Sequence, residues 1–140
     1  LTKMIFINLP VRNLAAAEGF YHAIGGTKNP NFSDERASCM LFSDAIGVML
    51  LTHDRYSGFT SRKIGDARKE SQALIALSVE TRDDVDRTLE KAVAAGGQAD
   101  PNPVQEHGFM YSRSVEDPDG YVWEIMWMDP AFVAGEKPTS

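Results

Sequence analysis

The sequence repeats itself. A β-prone run ending in Val11 leads into a helix that stops at Gly25-Gly26, and a second run ending in Val79 leads into a helix that stops at Gly96-Gly97, with nearly equal offsets between the matching points. The two helices close on Ala-Ile-Gly-Gly and Ala-Ala-Gly-Gly. A strand-helix-strand unit that occurs twice must bury the helix-side face of each sheet, and the two halves can combine to enclose a concavity. The expected fold class is α+β, with two βαβββ modules forming a cup-shaped mixed sheet and the helices outside. Function would then sit in the cup.

In the first half, Met4 to Val11 reads as a strand whose Pro10 places it at an edge or near its end. Asn13 is a good N-cap, and Leu14, Ala17, Phe20, Tyr21 and Ile24 follow at helical spacing. Ala37 to Phe42 and Gly47 to Thr52 flank a turn-like Ser43-Asp-Ala-Ile and predict a hairpin. Residues 53–71 are polar, carry Arg55, Arg62, Lys63, Arg68 and Lys69, and have no clean period, which predicts a linker or loop with one short helix at most. In the second half, Ala73 to Val79 is strand-like, and Thr81-Arg-Asp-Asp opens a helix with Val85, Leu89, Ala92 and Val93 on one face. Asp117-Pro-Asp-Gly joins Phe109–Val115 to Tyr121–Trp127 as a hairpin, because Pro fixes the turn's φ and Gly accepts positive φ. Module one is therefore expected over about 4–53, a linker over 54–71, module two over 72–128 and a tail over 129–140, within one domain spanning 1–140.

The charge balance narrows the partners. Fourteen Lys and Arg against 20 Asp and Glu give a net charge of −6, the wrong sign for binding nucleic acid or an anionic membrane through electrostatics. A small-molecule ligand is the expected partner. The lone Cys39, between Ser38 and Met40-Leu41, reads as a buried structural thiol. No apolar run approaches a membrane span and the first residues lack a signal-peptide layout, so the chain is expected to be cytoplasmic.

Several segments resemble the vicinal oxygen chelate superfamily, which includes glyoxalase I, bleomycin-resistance proteins, fosfomycin-resistance enzymes and extradiol dioxygenases. They are Leu9-Pro-Val-Arg-Asn-Leu with Gly19-Phe-Tyr, Val79-Glu-Thr-Arg-Asp-Asp-Val-Asp, and Asp117-Pro-Asp-Gly-Tyr-Val-Trp-Glu-Ile. Phe6-Ile-Asn-Leu-Pro-Val and Trp123-Glu-Ile-Met-Trp-Met-Asp-Pro are similar to a bacterial subgroup described as predicted lactoylglutathione lyases. The resemblance implies a divalent metal held by His, Glu or Gln from the first and last strands of each module. Carried onto this sequence, those positions fall on Phe6, Leu74, Met49 (or its neighbours Val48 and Leu50 if the register slips) and Glu124. Only Glu124 offers a hard donor, and one carboxylate falls short of the roughly three protein ligands that catalytic Zn²⁺ or Fe²⁺ requires. No metal and no other cofactor is therefore expected.

Glu124 is the candidate catalytic residue. Period-two alternation puts Val122, Glu124 and Met126 on one face of their strand and Trp123, Ile125 and Trp127 on the other. A carboxylate on the cup face must be paired, protonated or hydrated, and so is a candidate anchor or general base. Its alternative is a structural acid bonded to Arg113, Tyr111 or backbone. Candidate ligand-binding residues are Phe6, Asn8, Met49, Leu74 and Met126, the apolar ones with core packing as their alternative. His53 and His107, at loop entrances, are candidates for the mouth of the cup, while His22 reads as a surface residue. The functional expectation is a glyoxalase/bleomycin-resistance-like protein with a degraded metal site that binds a small organic ligand. A lyase or isomerase of the lactoylglutathione lyase type using Glu124 as base and a bleomycin-resistance-like sequestering dimer are the alternatives. A homodimer is expected, because each half is too small to cover both faces of its sheet.

Overall fold

Both hairpins and both long helices form where local chemistry directs them. The computed structural model describes residues 2–135. Strand β1 (Ile5–Val11) leads to α1 (Leu14–Ala23), whose Asn13 side chain accepts from Ala16 N–H as the N-cap. Three strands follow, β2 (Thr27–Asn29), β3 (Ala37–Leu41) and β4 (Ile46–Thr52), with one 3₁₀ turn over Pro30–Phe32. A short helix, α2 (His53–Ser57), opens the segment between the halves. The second half repeats the plan with β5 (Ile75–Ser78), α3 (Arg82–Ala94), the short β6 (Gln98–Ala99) and β7 (Gln105–His107), and the hairpin β8 (Met110–Glu116) and β9 (Val122–Met128). Helix α4 (Pro130–Val133) lies in the expected tail, whose last five residues fall outside the described ones.

Each module makes one mixed sheet. The orders are β1-β4-β3-β2 and β5-β9-β8-β6, with β7 pairing β8 beyond that path. In both, the first strand runs parallel to the last, and the last two strands form an antiparallel hairpin. This is the α+β, two-module βαβββ arrangement expected from the repeat. The sheets do not join into one. β1 lies at the edge of its sheet, where Pro10's missing N–H deprives no second neighbour of a hydrogen bond.

A single core holds the modules together. Leu9, Val11, Val48 and Leu50 from one sheet and Val115, Trp123 and Ile125 from the other join Phe20 and Tyr21 of α1 and Val85, Leu89 and Ala92 of α3 in one buried cluster. α1 and α3 also contact each other. One helical assignment is corrected: Val93 is 45% exposed instead of lining the buried face. The advance of about 100° per residue carries it roughly 80° away from Val85, to the margin of the stripe. Cys39 is a buried free thiol.

Candidate functional site

The period-two alternation that sends Trp123 and Ile125 into the core sends Val122, Glu124 and Met126 to the opposite face of β9. Glu124 stands between Ala76 of β5 and Ser114 of β8, and Met126 between Ser78 and Ser112. In the other sheet, Asn8 stands beside Met49, which stands beside Cys39, and Phe6 pairs with Gly47. Phe6 and Asn8 are exposed, while Met49, Glu124 and Met126 are half-buried. Leu74 precedes β5 and is exposed.

The sequence-derived candidates therefore form two groups on two sheets. Phe6, Asn8 and Met49 make one, and Glu124 and Met126, with Leu74 at the margin, make the other. Both sheets give their helix-side faces to the shared core, so the faces carrying the candidates turn away from it, and within one chain the sheets do not close over a common space. The two histidines join neither group. His53 begins α2 beyond the end of β4, and His107 lies exposed on β7, its ring stacked 5.9 Å from Phe109. His22 is exposed on α1, with Nδ1 3.2 Å from the Gly26 carbonyl oxygen.

The structural alternative for Glu124 fails. Arg113 faces the helix side, where its guanidinium binds Asp100 at 2.7 Å and Asp86 at 2.9 Å, and the Tyr111 hydroxyl donates to Asp86 at 2.7 Å. The two carboxylates hold the Arg113 cation, pushing its pKa up, while the Tyr111 and Arg113 bonds pull Asp86 down. Glu124 has no hydrogen-bond or ion-pair partner among the described residues, and being half-buried it keeps access to water or ligand.

Strand register adds residues that the sequence reading missed. Glu116 pairs with Val122, Ser114 with Glu124 and Ser112 with Met126, so Ser112, Ser114 and Glu116 share the face of Glu124. Ser114 Oγ accepts from Asn102 N–H at 3.0 Å. Counting outward from the Asp117–Gly120 turn would have found all three, since a hairpin turn fixes which residues lie opposite. No group of three or more His, Cys, Asp or Glu side chains is placed to hold one metal ion among the described residues.

A buried polar knot locks the modules behind this face. Asp117 Oδ2 accepts from the Tyr21 hydroxyl at 2.6 Å, and Trp123 Nε1 donates to the Tyr21 oxygen at 2.9 Å. Asp117 Oδ1 accepts from the N–H groups of Asp119 and Tyr121. Burial raises Asp117 to about 6, against the pull of these hydrogen bonds. Burial first, and then the adjacent Asp117 carboxylate, push Tyr21 well up, so the phenol stays protonated. Tyr121 donates to the Pro10 carbonyl at 2.9 Å, and Asp119 accepts from Arg12 N–H at 2.9 Å, tying the turn to the end of β1.

Residues 3–125 match the family model for the Glyoxalase/Bleomycin resistance protein/Dioxygenase superfamily. No curated protein matches the sequence. Solved structures do resemble the chain. A glyoxalase-related enzyme from Fulvimarina pelagi superposes with a TM-score of 0.75 at 22% identity, covering 91% of this chain and 88% of its own. A glyoxalase/bleomycin resistance protein/dioxygenase family enzyme from Burkholderia phytofirmans gives 0.72 at 19% identity, covering 91% and 99%. The fosfomycin resistance protein FosX from Mesorhizobium loti gives 0.62 at 20% identity, covering 96% of each. At these identities the likeness is one of fold.

Proposed function

Because the chain belongs to the Glyoxalase/Bleomycin resistance protein/Dioxygenase superfamily, we propose that it binds a small organic ligand on the open faces of its sheets, with Phe6, Met49 and Met126 as apolar contacts and Glu124 as polar anchor. The observation that carries this reading is a half-buried carboxylate without a protein partner among the described residues, set between Ala76 and Ser114 and beside Met126. A ligand with apolar area and one hydroxyl, amide or cationic nitrogen donor fits it, because a charge-assisted hydrogen bond in a partly dry setting is strong. The residues do not fit the metal that the family implies. Phe6 and Leu74 have no lone pair to offer, and the Met49 thioether is a soft, weak ligand, so Glu124 would be left with water. The ligand is therefore bound without a resident divalent ion.

The two groups of candidates lie on faces that one chain does not bring together, which favours a homodimer in which a sheet of each copy supplies one wall of the cup. A thermal-shift screen of small organic ligands tests the reading. A hit should raise Tm in the parent chain and lose most of its effect in Glu124→Ala, whereas an equal shift in both would overturn the assignment of Glu124. Elemental analysis of dialysed protein finding one equivalent of Zn²⁺, Ni²⁺ or Fe²⁺ that disappears in Glu124→Ala would overturn the metal-free reading.

The unpartnered Glu124 carboxylate also favours a second reading, a lyase or isomerase of the lactoylglutathione lyase type. There the carboxylate would take a proton from a carbon beside a carbonyl. A bleomycin-resistance-like sequestering role has less support, since on their face Glu124 and Glu116 stand among Met, Ser, Ala and Val in place of the broad acidic groove a cationic ligand calls for.

A further inference from the structure

The polar segment between the modules folds into a cleft that the ligand-binding reading above does not use. The cleft is an open surface depression of about 610 Å³, and its lining includes His53, Asp54, Ser57, Thr60, Ser61, Arg62 and Lys63. Its frame is anchored at both ends. On one side α2 packs against β1 and β4, and the turn after it is closed by Gly58 and Phe59 N–H groups bonding the Arg55 and Tyr56 carbonyls at 3.1 and 2.9 Å. The Arg55 guanidinium lies over the Phe59 ring at 5.1 Å. On the other side Arg68 bonds the Pro118 carbonyl, and Asp66 accepts from Arg68 N–H at 3.0 Å. The segment is thus fixed at both ends.

Its chemistry is one-sided. Asp54, the acid in the lining, is engaged by Arg36 at 3.2 Å. Arg62 and Lys63 have no carboxylate partner among the described residues, in a chain whose net charge is −6. Thr60 Oγ1 already accepts from Arg62 N–H at 3.2 Å, which leaves its hydroxyl hydrogen free to donate into the cleft. Two exposed cations and three hydroxyls, with Asp54 the one carboxylate in the lining and already paired with Arg36, are a donor set suited to an oxyanion.

We propose that this cleft binds the oxyanion group of a small ligand, a carboxylate or a phosphate. The Arg62 guanidinium provides the planar fork, Lys63 the second charge, and the hydroxyls of Ser57, Thr60 and Ser61 the remaining hydrogen bonds. The site stands apart from Glu124, so its existence does not depend on what the sheet faces bind.

Amide NMR of the full chain tests it, with separate titrations of inorganic phosphate, acetate, and sodium chloride at matched ionic strength. The expected result is a saturable shift confined to residues 53–64 in the phosphate arm, the acetate arm or both, and none with chloride; the arm that saturates at lower concentration identifies the oxyanion. In the Arg62→Ala/Lys63→Ala double variant the apparent affinity should fall about tenfold or more, with the resonances of the sheets unmoved. Lys63→Gln alone should weaken binding by a smaller factor, and keeps the test open if the double variant does not fold. Arg87→Ala, which removes an exposed cation from α3, should leave binding unchanged. No saturable shift in either oxyanion arm overturns the proposal, as does an undiminished response in both the double variant and Lys63→Gln.

Discussion

Asp117 is where a local turn signal and a long-range contact meet in one residue. The Asp-Pro-Asp-Gly turn was legible because its chemistry is local: Gly120 takes φ of 101°, and the Asp117 carboxylate accepts from the N–H groups of Asp119 and Tyr121. The bond from Tyr21, from the other module, was not legible, since no periodicity links residues so far apart in the chain. Its consequence is measurable. Burial lifts Asp117 to about 6 in the folded state, whereas an unfolded aspartate titrates near ~3.9. The folded chain thus holds this proton more tightly, so the stabilisation linked to it is complete below about pH 4 and is lost as pH rises through about 6. The total is on the order of 3 kcal/mol. Asp117→Asn can still accept both turn N–H groups, and it should flatten this part of the profile. Urea unfolding of both proteins between pH 4 and 7 checks it, and parallel slopes would show that Asp117 does not titrate in this window. At Glu124, sequence parity correctly gave the face, but the absence of a bond to Arg113 or Tyr111 needed the register to be known.

At the scale of elements, segments with strong local signals were legible and short ones were not. The α3 cap is the clearest case: Thr81 Oγ1 accepts from Asp84 N–H, and the Asp84 carboxylate accepts from Thr81 N–H, both at 3.2 Å. Thr81→Ala should lower stability by about 1 kcal/mol, read from the urea midpoint at constant m. Strands β2, β6 and β7 have two or three residues each, too few to show a period, and they exist because β3 and β8 offer edges to pair with. In the sequence the glycines that stop the helices are punctuation, yet Gly97 has a packing role as well. A Cβ there would lie 2.7 Å from the Phe20 ring and 3.0 Å from the Ala92 and Glu116 carbonyl oxygens. Gly97→Ala should therefore destabilise by about 1–3 kcal/mol, because two of those neighbours are backbone and cannot step aside. Gly19→Ala, on α1 with nothing within 4 Å, should instead stabilise by about 0.5–1 kcal/mol through helix propensity. Denaturation of the two variants side by side separates packing from punctuation, and equal effects would refute the close approach at Gly97.

For the whole molecule, the repeat announced two modules but not how they pack. The sequence pattern fixed which residues leave each helix-side face; it carried no signal that both faces would share one core, because that depends on Phe20, Tyr21 and Trp123 meeting across the module boundary. Once they do, β1 and β5 are left as sheet edges, and the opposite faces carry exposed Phe6 and Leu74. Ile5 and Ile46, paired at the start of β1 and β4, add apolar area at the same end of the sheet. Open edges beside apolar surface favour association, and a two-fold pairing that sets the Phe6 face of one copy against the Glu124 face of the other uses each surface twice. The chain should accordingly scatter light at twice its monomer mass at micromolar concentration. Phe6→Glu should shift it toward monomer by placing a charge in the contact, while Val93→Glu, equally exposed but on the outer margin of α3, should leave the dimer intact. A monomeric parent chain, or a dimer that withstands Phe6→Glu yet dissociates with Val93→Glu, would require a different contact and would leave the two groups of candidate residues as separate sites.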